Sequence, residues 1–392
     1  MRALPAYNPP REVRVFGKPI ELFEIFGFRV RIDPSWFIVA LLVTSNFASF
    51  FRTQLPDRPP ATYWALGIAG SLIYFLSVLL HELSHSLVAR RYGLEMRGIT
   101  LFIFGGVAEM PQEPNTPRSE FVIAAAGPAA SVLIGLVCFG LGFACQSQGW
   151  AEPASVLSSL GILNGALAVF NLIPAFPLDG GRLLRSLLWG WKDDVRWATR
   201  ISSTIGSGFG LLLIAVGGVE IFTGNFTSGL WMCLIGLFVR NAASSSYQQL
   251  LLRRALEGET VSRFMHPDPV TVPRGISVEE LVKDYIYRYH YKMFPVVDDA
   301  GRLLGCVTAR QVRDLPRDEW DRQTVGSLAA RCNPENTVRA DTDAMEALSR
   351  MSRTGVSRLM VVDGDRLLGI LTLKDLLRFF SLKMELEESA AR

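Results

Sequence analysis

Two histidines and a glutamate stand close together in an H-E-x-x-H sequence that runs from His81 to His85. On a helix, positions i and i+4 lie on one face, so both imidazoles can reach a single zinc ion. Glu82 lies beside them, where a carboxylate can take a proton from water. These groups follow the apolar run Ile73–Leu80, and ionisable residues in an apolar span usually mark function. The pattern predicts a catalytic zinc site, against the alternative of two histidines on an ordinary helix face.

A catalytic zinc site generally has three protein ligands and one open position, so another segment must supply the third ligand. Asp179 is the best candidate, within the sequence N-L-I-P-A-F-P-L-D-G-G-R that starts at Asn171. Pro174 and Pro177 interrupt a helix there, and the two glycines after Asp179 permit close backbone approach. The alternative is an ordinary Asp-Gly-Gly turn at a membrane surface. Together with the two histidines, Asp179 completes the predicted ligand set.

Long apolar stretches must position these motifs. Hydrophobic residues make up 49% of the 392 residues and charged residues only 20%, and a bilayer-spanning helix needs about 20 mainly apolar residues. The six predicted spans are Ser35–Phe51, Tyr63–Ala89, Phe121–Ala144, Ala154–Ile173, Ile201–Phe222 and Ser228–Val239. The first motif then lies near the end of the second span, and Asp179 follows the fourth.

Lysine and arginine collect at the N-terminus and after the second, fourth and sixth spans. Because basic residues favour the cytoplasmic side, we expect a multi-pass protein of the cell membrane with both termini and the active-site face in the cytoplasm. The ends of the second and fourth spans then lie on the same side, so the two motifs can meet. The net charge is only +3, so no nucleic acid partner is expected.

The motifs H-E-x-x-H and N-x-x-P-x-x-P-x-D-G-G resemble the two signatures of the site-2 protease family, over residues 30–240. The resemblance implies that His81, His85 and Asp179 bind Zn²⁺. It also implies that Glu82 is the general base and that Asn171 holds the oxyanion. The implied activity is regulated intramembrane proteolysis. In it, peptide bonds are hydrolysed within or near transmembrane segments of membrane proteins, single-span or anti-sigma-like, in the lipid bilayer.

Two weaker resemblances lie between the motifs. Phe104–Val107 resembles the family's Gly-Gly hairpin near the metal, and Gly127-Pro128 resembles its helix-packing dipeptide. The alternatives are a β-turn and an ordinary small-residue contact between helices. A helical substrate must unwind locally to expose its carbonyls, and we expect the loop Gly98–Met110 to receive the extended strand by edge pairing.

The soluble part of the chain holds an internal repeat, in which residues 294–308 are echoed by residues 359–372. Each copy reads as two short strands around a turn, with a helical stretch on either side. The pair resembles tandem CBS (cystathionine-β-synthase) motifs, so the expected fold class is a multi-pass α-helical membrane domain followed by a soluble α/β CBS module. The expected segments are 1–33 (cytoplasmic N-terminal segment), 34–241 (metalloprotease domain), 242–260 (linker), 261–320 and 321–383 (CBS repeats) and 384–392 (tail).

Many CBS modules bind adenine nucleotides through a T-x-x-D sequence, with the aspartate on the ribose and the threonine near phosphate. Thr372 and Asp375 match it in the second repeat, so the resemblance implies a site for ATP, ADP or AMP there. The first repeat has Gln311 three residues after Thr308, so its site is expected to be weaker or empty. The alternative is a structural pair of repeats that forms a homodimer.

Two other classes of function fit part of the pattern. One is a CBS-regulated membrane transporter, but the spans show no repeat of one half in the other, and a transporter has no clear need for Glu82. The other is a proteolytically inactive zinc-binding scaffold, against which the complete metal motifs argue. The sequence therefore predicts an intramembrane zinc metalloprotease that a cytoplasmic, nucleotide-sensing CBS module modulates.

Overall fold

The computed structural model describes residues 19–96, 98–109 and 113–390. The first eighteen residues of the expected N-terminal segment, Arg97, residues 110–112 and the last two residues of the expected tail lie outside the described residues. Met110, the end of the loop expected to receive substrate, is among them. The chain divides into two units, Val13–Leu250 and a second one that begins at Leu251. Each is described by itself.

The first unit begins with a small sheet. Its strands are β1 (Ile20–Ile25), β2 (Phe28–Ile32), β3 (Gly98–Phe102) and β4 (Gly105–Glu109). They lie in the order β1-β2-β3-β4, with β2 and β3 parallel and the other pairs antiparallel. Every residue of β3 is buried, as expected for a strand between two others, and among the described residues β1 and β4 form the two edges of the sheet.

Among its described residues, this unit also contains seven helices. They are α1 (Trp36–Gln54), α2 (Pro60–Arg91), α3 (Pro117–Ser147), α4 (Ala151–Asn171), α5 (Asp179–Lys192), α6 (Val195–Phe222) and α7 (Phe226–Leu256), whose last turns belong to the second unit. All except α5 are long and apolar enough to cross a membrane, which confirms the six-span fold class. Helix α7 continues past the predicted end at Val239 and through most of the segment 242–260.

Glycines let the membrane helices approach one another closely. A Cβ atom on Gly67 of α2 would lie 2.8 Å from the carbonyl oxygen of Thr44 on α1. A Cβ on Gly210 of α6 would lie 2.7 Å from the carbonyl oxygen of Gly236 on α7. Lipid tails are as apolar as the side chains, so the hydrophobic effect does not drive helices together in a membrane. Close packing at small residues such as these glycines stabilises their association instead.

The second unit contains two four-stranded sheets. Their strands are β5 (His266–Pro267), β6 (Val272–Pro273), β7 (Met293–Val297), β8 (Leu303–Thr308), β9 (Ala330–Arg331), β10 (Thr337–Arg339), β11 (Arg358–Asp363) and β12 (Arg366–Thr372). One sheet has the order β6-β7-β8-β9 and the other the order β10-β11-β12-β5. Strand β5 therefore precedes the first repeat but completes the sheet of the second, and β9 does the converse. The expected tandem CBS fold is confirmed.

Short helices surround these sheets. A helical stretch over residues 278–289 contains a π-helical turn at Leu281–Ile286, and the α-helices that follow are Ala309–Arg313, Val325–Leu328, Ala344–Thr354 and Leu373–Ala390. Two 3₁₀ turns lie at Val261–Arg263 and Arg317–Glu319. Each repeat has its own buried core, and a smaller cluster joins Met293, Leu303 and Cys306 of the first repeat to Met360 of the second.

Candidate metal and active site

Helix α2 carries both histidines of the first motif, one turn apart and buried, at 3% and 6% exposure. The Nε2 atoms of His81 and His85 lie 3.3 Å apart. The two imidazole rings point to the same side of α2 because residues i and i+4 share a helix face. The helix thus presents two imidazole nitrogens side by side, as the sequence predicted.

Asp179 is the first residue of α5, and its Oδ2 atom lies 3.1 Å from the Nε2 of His81 and 3.2 Å from that of His85. Tetrahedral zinc with ligand distances of about 2.0–2.1 Å separates its ligand atoms by about 3.3–3.4 Å. The three side chains are the group of possible metal ligands found among the described residues. Their spacing and chemistry fit zinc without rearrangement of the backbone.

The opposite ring nitrogens of both histidines bind α3. The Nδ1 of His85 lies 2.6 Å from the carbonyl oxygen of Ile123, and the Nδ1 of His81 lies 2.9 Å from the Oγ of Ser131. A carbonyl oxygen only accepts, so the Nδ1 of His85 carries the proton and its Nε2 keeps a lone pair for a metal. Such outer partners orient metal-binding histidines. Sequence reasoning missed both, since a backbone carbonyl and a serine in an apolar helix carry no motif.

Gly127 of α3 lies directly against the imidazoles. A Cβ atom at this position would lie 2.6 Å from the Nε2 of His81, and it would also collide with the Nε2 of His85. The Gly127-Pro128 pair therefore does more than pack one helix on another. Its glycine leaves the space in which the two rings stand.

Glu82 and the hairpin of β3 and β4 form one wall of a cavity of about 590 Å³, which His81, Asp179 and Asn171 also line. Gly106 of the hairpin lies against Glu82, and a Cβ there would be 3.0 Å from the carboxyl carbon. Phe104 of the turn also lines the cavity and stacks on Phe238 of α7 with ring centroids 4.6 Å apart. The Gly-Gly segment is thus a hairpin beside the candidate base.

Asn171 is the last residue of α4, at the cavity wall. Its side-chain amide donates to the carbonyl oxygen of Leu167 in its own helix, at 3.1 Å. The structure therefore brings Asn171 to the site expected from the sequence, with one of its two amide hydrogens engaged locally.

The two candidate nucleotide positions of the CBS unit differ. Asp375 accepts from the hydroxyl of Thr372 at 2.5 Å, and its other oxygen lies 3.0 Å from the Nε2 of His266 on β5. Gln311 accepts from the hydroxyl of Thr308 and donates to the carbonyl oxygen of Leu328, at 2.7 and 2.8 Å. Sequence reasoning missed His266, which is 109 residues from its partner.

Comparison with known proteins supports the interpretation of both units. Peptidase family M50 matches residues 69–154 and 146–214, and the CBS domain matches residues 261–318 and 325–382. A zinc metalloprotease of Methanocaldococcus jannaschii is 32% identical over 94% of this chain and 98% of its own length. Rip3 of Mycobacterium tuberculosis is 34% identical over 92% of each chain.

A solved structure, the site-2 protease from Methanocaldococcus jannaschii, is 32% identical and covers 58% of this chain and 94% of its own, with a TM-score of 0.42. The full-length relatives cover the membrane and the CBS parts together. They favour a metalloprotease over the transporter that CBS repeats alone would also allow. The chain belongs to the site-2 protease family, peptidase family M50, as a zinc metalloprotease that carries two CBS domains.

Proposed function

We propose that this chain cleaves membrane-protein substrates within or near their transmembrane segments, with Zn²⁺ held by His81, His85 and Asp179. The observation that carries the proposal is the meeting of two buried imidazole nitrogens and the carboxylate oxygen of the partly buried Asp179, 3.1–3.3 Å apart, next to Glu82. Zinc at this position supplies a Lewis acid for the scissile carbonyl and lowers the pKa of water.

Glu82 is the group that moves the proton. Its carboxylate takes a proton from the attacking water and passes it to the leaving amine. Asn171 donates to the developing oxyanion, a role worth about 3–4 kcal/mol for a single donor. One of its two N–H groups donates to the carbonyl of Leu167, 3.1 Å away, and the other is the donor for the substrate.

Strand β4 offers the place for the substrate backbone. It lies at the edge of the described sheet, and its first residues, Gly105 to Val107, line the cavity beside Glu82. An extended peptide that pairs with such an edge gains main-chain hydrogen bonds. A helical segment must first unwind because its carbonyls are engaged in i→i−4 bonds. We therefore infer a substrate, single-span or anti-sigma-like, whose membrane segment contains helix-weakening residues.

The experiment that tests this function replaces Glu82 by Gln, which has the same size but cannot act as a base. The variant and the unchanged chain are co-expressed with candidate single-span membrane proteins, and zinc is measured on the purified proteins. We expect Glu82→Gln to keep one zinc per chain and to lose cleavage. His81→Ala, His85→Ala and Asp179→Ala should lose zinc as well. Cleavage by Glu82→Gln at a near-native rate would overturn the mechanism.

We also infer that the CBS unit binds adenine nucleotide in its second repeat and modulates the protease. Asp375 and Thr372 supply the ribose and phosphate contacts. Both are polar groups at the start of the helix Leu373–Ala390, where backbone N–H groups favour an anion. Gln311 carries a neutral amide where the second repeat has the carboxylate of Asp375, and its amide already donates to the carbonyl of Leu328, so the first repeat lacks an equivalent charged acceptor. The proposed placement has the protein in the cell membrane with its termini and active-site face in the cytoplasm.

A further inference from the structure

One face of helix α3 is turned toward the candidate zinc site. Three of its residues have been described: the carbonyl of Ile123 binds His85, Gly127 leaves room for both rings, and Ser131 binds His81. Successive spacings of four residues keep these positions on one side of the helix. Glu120 lies one turn before Ile123 and continues the same face. Its hydrogen-bond partner among the described residues is not a histidine but Arg185 on α5, the helix that Asp179 begins.

Glu120 and Arg185 form a buried ion pair between α3 and α5. Glu120 is fully buried and Arg185 is 4% exposed. The Oε1 of Glu120 accepts from the Nε of Arg185 at 2.6 Å and also from its Nη2. Arg182 of the same helix lies 3.9 Å from this oxygen. The Oε2 atom has no hydrogen-bond partner among the described residues.

Stability alone does not account for such a pair. Two buried charges lose their hydration, and apolar residues of similar volume are often as stabilising. An ion pair differs from apolar packing in that it fixes the direction and distance of its two partners. Here the partners are the helix that orients both histidines and the helix that carries the third candidate ligand.

Arg185 also contacts the loop that leads to Asp179. Its guanidinium carbon lies 5.2 Å from the ring centroid of Phe176. The same loop is pressed against the helix, because a Cβ on Gly180 would meet the carbonyl oxygen of Ile173 at the start of the loop. Arg185 lies six residues after Asp179, or about 9 Å along the helix. It is held from α3 on one side and from the loop on the other, so the first residue of α5 has little freedom to move.

We propose that the Glu120–Arg185 ion pair is a positioning device for the third ligand, which sets the distance of Asp179 from His81 and His85. The proposal rests on the zinc site proposed above. Helix α3 then orients all three ligands: the two histidines by direct hydrogen bonds, and the aspartate through α5. Removal of the pair leaves each ligand in the chain but lets Asp179 drift from the 3.1–3.2 Å separations that suit a metal.

The test measures metal affinity, separately from activity, in the full-length protein. Glu120→Gln keeps the shape of the side chain and removes its charge, and Arg185→Lys keeps the charge and removes the fork of donors. Zn²⁺ affinity is obtained by competition with a chelator, and bound Co²⁺ reports ligand geometry through its visible spectrum. We expect Zn²⁺ affinity to fall about 10- to 100-fold in Glu120→Gln with an altered Co²⁺ spectrum. Arg185→Lys, which keeps the charge, should lower Zn²⁺ affinity and alter the Co²⁺ spectrum less than Glu120→Gln does.

A control is the more exposed ion pair of Arg58 and Glu152, whose atoms lie 2.7 Å apart, with Arg58 just before the start of α2 and the histidines near its other end. Glu152→Gln should leave affinity and spectrum unchanged. Unchanged affinity and spectrum in both Glu120→Gln and Arg185→Lys, even with a lower melting temperature, would show a merely structural pair and overturn the proposal. His81→Ala separates the zinc site from the positioning role. If His81→Ala retains zinc, the zinc site itself is refuted. If His81→Ala loses zinc but Glu120→Gln binds it with native affinity and spectrum, only the positioning role is refuted.

Discussion

Replacement of Gly127 by Ala adds a single methyl group at the point where α3 meets the two imidazoles. The new carbon would lie 2.6 Å from the Nε2 of His81, while ordinary contact begins near 3.4 Å. To relieve the contact with His81 alone, its ring or the backbone of α3 must therefore move by about 0.8 Å. The Nε2 of His85 is also in collision, so a rotation of one ring alone does not relieve the contact.

Metal sites do not tolerate a shift of that size. Ligand distances in functional zinc sites vary by only about 0.2 Å, and a displacement of about 1 Å at a catalytic group costs about 100-fold in rate. The helix itself should accept alanine, which has a higher helix propensity than glycine. We therefore expect Gly127→Ala to fold and to lose zinc affinity and peptide-bond cleavage by about 100-fold each.

Gly140→Ala is the matched control, since Gly140 lies on the same helix and a Cβ there would have no neighbour within 4 Å. Zinc per chain, measured by emission spectroscopy after chelator dialysis, should be near one for Gly140→Ala and well below it for Gly127→Ala. Cleavage of a co-expressed substrate should follow the same order. If Gly127→Ala retains zinc and activity at the level of Gly140→Ala, the space beside the imidazoles does not have the role inferred for it.

Three further predictions concern other parts of the chain. Titration calorimetry with ATP, ADP and AMP should show binding that Asp375→Ala weakens far more than Gln311→Ala. Absence of binding at millimolar nucleotide would leave the CBS unit as a dimerisation element. A cysteine at Gln148, in an exposed turn after α3, should react with membrane-impermeant reagent from outside the cell, and labelling only from the cytoplasm would reverse the proposed topology. Met360→Ala, at a fully buried position, should lower the free energy of unfolding of the CBS unit by about 2–5 kcal/mol. The loss is measured by denaturant titration, with hydrogen exchange of β11 as the probe. A loss well below about 1 kcal/mol would contradict the role of Met360 in the cluster that joins the two repeats.

The six spans were predictable because a bilayer demands long apolar runs, which are the strongest pattern a sequence can carry. The end of the sixth span was not predictable. Hydropathy falls after Val239, where Arg240 and Asn241 follow, yet α7 continues as far as Leu256. The β1–β2 hairpin was also missed, since all but one residue of β1 are exposed and a strand without a buried face shows no regular alternation.

The candidate site was predictable to the extent that its residues carry motifs. The structure brings His81, His85 and Asp179 together, and their binding of zinc stays a prediction. The supporting contacts were hidden for a physical reason. In the sequence, Arg185 counts as one more cytoplasmic positive charge after the fourth span, and Glu120 as an acidic residue at the start of a helix. Only the folded chain shows that each is buried against the other.

The exchange of β5 and β9 between the two CBS sheets has a consequence for how this part of the protein can change. Each sheet borrows an outer strand that the chain places ahead of the other repeat. Deletion of one repeat, with the strand ahead of it, would remove the short outer strand and uncover β8 or β12, whose longer exposed edge invites pairing between molecules. Neither repeat can therefore complete its own sheet alone, and the two repeats form one folding unit.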